Sequence, residues 1–162
     1  MTTVTLTNYE ILMAANSGVM RRVLAIKLGR VQKNNRGKGG EWEQDILGCQ
    51  AEMAAAKYLD KFWTGSVGPA IPGDVGPHEV RATGYPNGHL IIHKADAPDT
   101  KFILVIRLSD SDYVLPGWAY AKDAQKPEFI KELAGGRPAF CLTQEQLQPM
   151  EKFDVPTDAE NA

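Results

Sequence analysis

Phe102-Ile103-Leu104-Val105-Ile106-Arg107-Leu108 is a nearly unbroken apolar run. A strand sends successive side chains to opposite faces, so a run without alternation leaves no face for water. It reads as a central strand, buried on both sides. Downstream, 113–115 and 117–121 read as two shorter strands, divided by Pro116, which has no N–H to give to a ladder. Residues 126–133 then read as a short helix closed by Gly135-Gly136, and 138–142 as a last strand. Thr143-Gln144-Glu145-Gln146 has the spacing of a capping box. Upstream, Ala95-Asp96-Ala97-Pro98-Asp99-Thr100 makes a turn. Before it, strands over about 78–83 and 89–94 flank Gly84-Tyr85-Pro86-Asn87-Gly88. Asn-Gly between two such stretches predicts a hairpin.

The first third of the chain is helical in pattern. Ile11, Leu12, Ala14, Ala15, Val19, Val23 and Ile26 recur at spacings of three and four over residues 8–29. Thr7 or Asn8 can cap the start, and Gly29 can end it. A second helix is expected over 41–62. Its early acids Glu41, Glu43 and Asp45 suit the positive N-terminal dipole, and Ile46, Cys49, Met53 and Ala56 form a packing stripe with Glu52 at its margin. Helices followed by strands predict an α+β fold, sandwich-like, with a mixed sheet flanked by helices and an extra N-terminal helix. A chain of 162 residues is expected to be one domain. Residues 1–40 form a helix and loop belonging to it, 41–153 the core, and 154–162 a polar, disordered tail.

Composition excludes some classes. Hydrophobic content of 43% and charged content of 23% are ordinary for a globular protein. No apolar run approaches the ~20 residues of a membrane span. The N-terminus lacks a basic segment followed by an apolar one, so a cytoplasmic protein is expected. Cys49 and Cys141 have no metal-ligand spacing and read as reduced, buried thiols. Charge is uneven. Residues 1–40 carry seven basic residues against Glu10, a balance of +6, and the remainder carries 11 basic against 19 acidic, a balance of −8. The densest part, 30–40, is rich in glycine and asparagine. Its cations Arg30, Lys33, Arg36 and Lys38 suit a phosphate backbone.

The chemistry-bearing stretch is Pro72-Gly73-Asp74-Val75-Gly76-Pro77-His78-Glu79-Val80-Arg81-Ala82-Thr83. On a strand, Glu79 and Arg81 share one face while Val80 and Ala82 share the other. Asp74 enters from the preceding loop. Two carboxylates beside a cation suit a Mg²⁺- or Mn²⁺-dependent phosphodiesterase: hard oxygen ligands hold the metal and the cation meets charge developing on phosphate.

This pattern resembles the PD-(D/E)XK nuclease superfamily, with Pro72-Gly73-Asp74 and Glu79-Val80-Arg81 as the two halves of its motif. The resemblance, over about 42–120, implies a restriction-endonuclease-like fold and hydrolysis of DNA with Mg²⁺ or Mn²⁺. It implies Asp74 and Glu79 as metal ligands, the Val80 carbonyl as a third, and Glu52 as a further acid supplied by a helix. The size is similar to accessory nucleases of phages and mobile elements. Arg81 stands where lysine is usual, and Asp74 lies only five positions before Glu79. Arginine holds its proton, so Arg81 could clamp phosphate but not take a proton from water. It could equally be a salt-bridge partner of Asp74 or Glu79. Depending on hairpin register, Glu79 would face His93 or Lys94, and Lys94 could then replace the motif lysine. Three readings stay open: a nuclease, a nuclease-like module that binds nucleic acid or protein without cutting, and an unrelated α+β interaction domain. DNA or RNA, endo- or exonuclease action, and a homodimer are open within them.

Overall fold

The computed structural model describes residues 3–30, 40–68, 73–133 and 136–154. The apolar run becomes β4 (Lys101–Arg107), which lies between β5 (Asp112–Tyr120) and β2 (Glu79–Thr83) in a mixed sheet. The pairing with β5 is antiparallel and the pairing with β2 is parallel. β1 (Thr3–Thr5), a strand not foreseen from the sequence, adds to the outer edge of β5. Both faces of β4 are covered, as its unalternated composition requires. Ile103 and Val105 enter one hydrophobic cluster and Phe102, Leu104 and Ile106 another, and none of the five is more than 2% exposed. Each such burial contributes roughly 1.5–3 kcal/mol.

The first cluster lies against two helices, α1 (Asn8–Lys27) and α2 (Glu41–Tyr58). The second lies against a three-stranded antiparallel sheet ordered β3 (Leu90–Ile92), β7 (Arg137–Leu142), β6 (Ile130–Leu133). Helices, mixed sheet and small sheet thus form three layers of an α+β fold. No helix among the described residues is long and apolar enough to cross a membrane.

Thr7 caps α1 in a capping box: the Glu10 amide donates to Thr7 Oγ1 at 3.3 Å, and the Thr7 amide to Glu10 Oε2 at 2.7 Å. Gly29, at φ +63°, turns the chain after the helix. The face that α1 buries differs from the expected one. Ile11 and Ala14 point inward with Gly18 and Arg22, but Leu12 (58% exposed), Val19 (36%) and Ile26 (56%) face outward. Close approach decides this. A Cβ on Gly18 would lie 2.6 Å from Ile46 Cα, so only glycine lets the helices cross there. Helix α2 is buried from Cys49 through Ala56, between α1 and the sheet.

Three other expectations are corrected. The predicted hairpin does not form. β2 pairs with β4, and β3 crosses to the other sheet, leaving Gly84–Gly88 as a turn held by Gln144 on the Pro86 and Gly88 carbonyls. Residues 130–133 form β6 after a short 3-10 turn at Pro127–Phe129, because pairing with β7 outweighs local propensity. Pro116 does not divide a strand; β5 runs through it, with a register shift opposite Leu104/Ile106 that spares the missing N–H. Gly135 and the tail after Asp154 lie outside the described residues. Both thiols are free and buried.

Candidate active site

Strand alternation orients β2. Val80 and Ala82 enter the helix-side cluster, so Glu79 and Arg81 take the opposite face. Asp74 reaches the same strand through a tight turn. The Asp74 and Val75 amides donate to the His78 carbonyl at 2.8 and 3.1 Å, and the His78 amide returns to the Val75 carbonyl at 3.2 Å. Gly73 makes the turn possible at φ +83°, where a Cβ would sit 2.2 Å from the Gly76 carbonyl oxygen. The chain doubles back, and the Val80 amide donates to Asp74 Oδ2 at 2.8 Å. The five-residue spacing is therefore long enough to bring both acids to one place.

Asp74 and Glu79 line a cleft of about 370 Å³, and the other charged residues lining it, among the described residues, are Arg21 and Arg30. Arg21 comes from α1, and Arg30 follows its end. Behind Arg21 lies Glu52, 4% exposed. Arg21 grips it with a two-pronged fork, Nη1 to Oε1 at 2.5 Å and Nη2 to Oε2 at 2.8 Å, and Trp63 Nε1 adds a bond to Oε2 at 3.0 Å. Arg21 Nε donates to the Ser66 carbonyl at 3.0 Å. Beneath it, buried Arg22 reaches Glu41 at 3.2 Å and Asp45 at 3.6 Å, and donates to the Arg30 carbonyl at 3.0 Å. Arg22 thereby fixes the backbone that carries Arg30.

The electrostatics follow from burial and crowding. Burial raises the proton affinity of Asp74, and Glu79 raises it further, against the Val80 amide, Arg21 and Arg81. Burial likewise raises Glu52, with Asp74 adding to the effect and Arg21 and Trp63 opposing it. The hydrogen bonds that Arg21 donates to Glu52 raise Arg21 above its ordinary value. Nearby, burial pushes the Cys49 thiol up to about 12, so it stays protonated.

A divalent cation fits this donor set in a limited way. Magnesium commonly takes one or two carboxylates and completes its shell with water and substrate phosphate. Asp74 and Glu79 could supply that pair. Glu52 is already taken by Arg21 and Trp63. Among the described residues, no three His, Cys, Asp or Glu side chains group as metal ligands. The Val80 amide is the donor to Asp74 Oδ2.

Of the other expected residues that are described, Arg81 and Lys94 are not among those lining this cleft. Arg81 is tied down: Nε donates to the Ile91 carbonyl at 3.3 Å, Nη2 lies 3.2 Å from Asp96, and Nη1 lies 3.8 Å from Glu79. The Glu79 pairing is one of the salt bridges foreseen for Arg81, but Asp96 is its nearer partner. Lys94 is exposed in the turn after β3, and without the hairpin no strand pairing brings it or His93 to Glu79. Lys33, Arg36 and Lys38 lie outside the described residues. Sequence reasoning missed Arg22, Trp63 and the pairing of Arg21 with Glu52. A visible signal existed, since Arg21-Arg22 interrupts an apolar helix and consecutive positions must point in different directions. Compared with protein-family models, curated proteins and solved structures, the chain matches none of them.

Proposed function

We propose that this protein is a metal-dependent nuclease of PD-(D/E)XK type that hydrolyses phosphodiester bonds in DNA, with Mg²⁺ or Mn²⁺ held by Asp74 and Glu79. The observation that carries the proposal is one cleft with Asp74 and Glu79 on its wall and Arg21 and Arg30 beside them. When bound, the divalent ion supplies an activated water and neutralises charge on the phosphate. The chain's own residues do the rest. Asp74 is oriented by the Val80 amide, and Glu79 is fixed by its place in β2. Arg21 and Arg30 supply positive charge for a polyanionic backbone, and donors fixed in advance need no reorganisation when charge develops.

A second reading, a nuclease-like module that binds DNA without cutting, is favoured by one observation. Arg81, the residue standing for the motif lysine, is spent on Ile91 and Asp96. One experiment separates the two. Plasmid and single-stranded DNA are incubated with Mn²⁺ and wild-type protein or Asp74→Ala/Glu79→Ala, with Mn²⁺ binding measured by calorimetry on both. The nuclease reading expects cleavage by wild type alone and loss of Mn²⁺ binding in the variant. Equal Mn²⁺ binding would remove the metal from these residues, and binding of DNA without cleavage would select the second reading.

A further inference from the structure

We infer that Arg21 is the phosphate-binding residue of the cleft and that Glu52 is a positioning residue acting through Arg21, not a third metal ligand. The inference rests on the nuclease reading only in naming the anion as a nucleic-acid phosphate.

Donor arithmetic points to Arg21. A guanidinium has five N–H groups in a fixed plane. Ser66 takes the one on Nε, and Glu52 takes one on each terminal nitrogen. Two N–H groups remain, on a side chain 26% exposed that lines the cleft with Asp74 and Glu79. They sit on different nitrogens and diverge, so each can give a phosphate oxygen one charge-assisted bond from a guanidinium that Ser66 and Glu52 already hold in place. The anchoring extends to the backbone. Gly18, one turn before Arg21, locks α1 against α2, the helix that carries Glu52. The guanidinium is therefore held before any ligand arrives, which lowers the ordering cost of binding.

The same geometry argues against Glu52 as a ligand. Its side chain is 6% exposed, and both oxygens are engaged. Turning toward a metal would abandon the Arg21 fork and the Trp63 bond, leaving a part-buried cation without its counter-charge and a buried donor without its acceptor. Asp74 and Glu79 require no such break.

The test measures two affinities separately. One is binding of a fluorescein-labelled DNA oligonucleotide in EDTA, by anisotropy. The other is Mn²⁺ binding without DNA, by calorimetry. Glu52→Gln and Arg21→Lys are each expected to weaken oligonucleotide binding by about tenfold, the loss of one charge-assisted contact, and to leave Mn²⁺ affinity within about twofold. Because removing one partner of a buried pair can unfold the protein, Arg21→Met/Glu52→Leu, which removes both, carries the test if a single variant does not fold. It is expected to lose the same DNA affinity and keep Mn²⁺ binding. A tenfold loss of Mn²⁺ affinity in Glu52→Gln with DNA binding unchanged would overturn the inference while leaving the nuclease reading intact. The double variant binding DNA as tightly as wild type would also overturn it. Wild type that binds DNA but cuts none, with the expected losses in the variants, would support the inference and sink the nuclease reading. No DNA binding by wild type would overturn both.

Discussion

At the scale of single residues, Arg81 shows how an arginine in place of a lysine changes a local role. Its guanidinium lies 4.7 Å from the Phe102 ring centroid and spans from β2 to the Ile91 carbonyl and Asp96. A lysine ammonium cannot make the same planar, forked contact. The side chain therefore joins the mixed sheet to the segment leading out of β3, beyond any part it has in chemistry. Arg81→Ala is expected to lower stability by roughly 1.5–3 kcal/mol, the range for hydrogen bonds involving charged groups. Arg81→Lys should recover only part of that. Urea unfolding of the three proteins checks this, and an unchanged midpoint in Arg81→Ala would free Arg81 for a purely catalytic role.

At the scale of elements, the α1–α2 pair is fixed by one small residue and by ion pairs at Arg21, Arg22 and Lys57. Gly18→Ala places a Cβ 2.6 Å from Ile46 Cα and 2.7 Å from the Asp45 carbonyl oxygen, which only a backbone shift can relieve. The expected loss is about 1–3 kcal/mol, read from the denaturant midpoint, although alanine is the better helix former. The most exposed of these ion pairs is Lys57 with Glu10 at 2.7 Å, and Lys57 also donates to the Thr5 carbonyl at 2.9 Å, joining α2 to α1 and β1. Burial works against ionised Glu10, but the Lys57 ammonium and the Thr7 amide and hydroxyl outweigh it and hold the carboxyl below its ordinary value. The unfolded chain therefore takes up this proton first. The contribution is full above the ordinary glutamate value of about 4.3 and is lost as pH falls through the lower folded value. The pair is partly exposed, so roughly 0.2–1 kcal/mol is at stake. Glu10→Gln should show a shallower loss of stability on acidification below about pH 4.3. Denaturant midpoints across that range decide it, and parallel curves would mean the pair contributes nothing.

At the scale of the whole molecule, charge is segregated along the chain, +6 in residues 1–40 and −8 in the rest. The fold brings part of the two sets together, with Arg21 and Arg30 beside Asp74 and Glu79. A nucleic acid would meet its attraction on the N-terminal side and repulsion from most of the remaining surface. Neutralising Arg30, Lys33, Arg36 and Lys38 together should flatten the slope of log K against log salt by roughly 3–4 for duplex DNA. An unchanged slope would mean that these cations do not touch the backbone.

The sequence by itself determined the features whose physics is local. The Thr7–Glu10 capping box needs only a three-residue spacing. Burial of β4 on both faces follows from its composition, and the division of β2 into Val80/Ala82 and Glu79/Arg81 follows from alternation. Asp74 and Glu79 were legible for the same reason, since a glycine-rich turn and a strand start bring them together over five residues. Only the tertiary structure decided what depends on distant partners. Whether 79–83 pairs with 89–94 or with 101–107 turns on which apolar faces can be covered at once, and Asn87-Gly88 makes a turn in either case. The buried face of α1 was set by the smallness of Gly18 rather than by its larger apolar residues. Glu52 met Arg21 across a helix crossing, 31 positions apart in the chain, where local spacing has nothing to say. A buried charge must find its counter-charge in space, and that search is carried out by the fold.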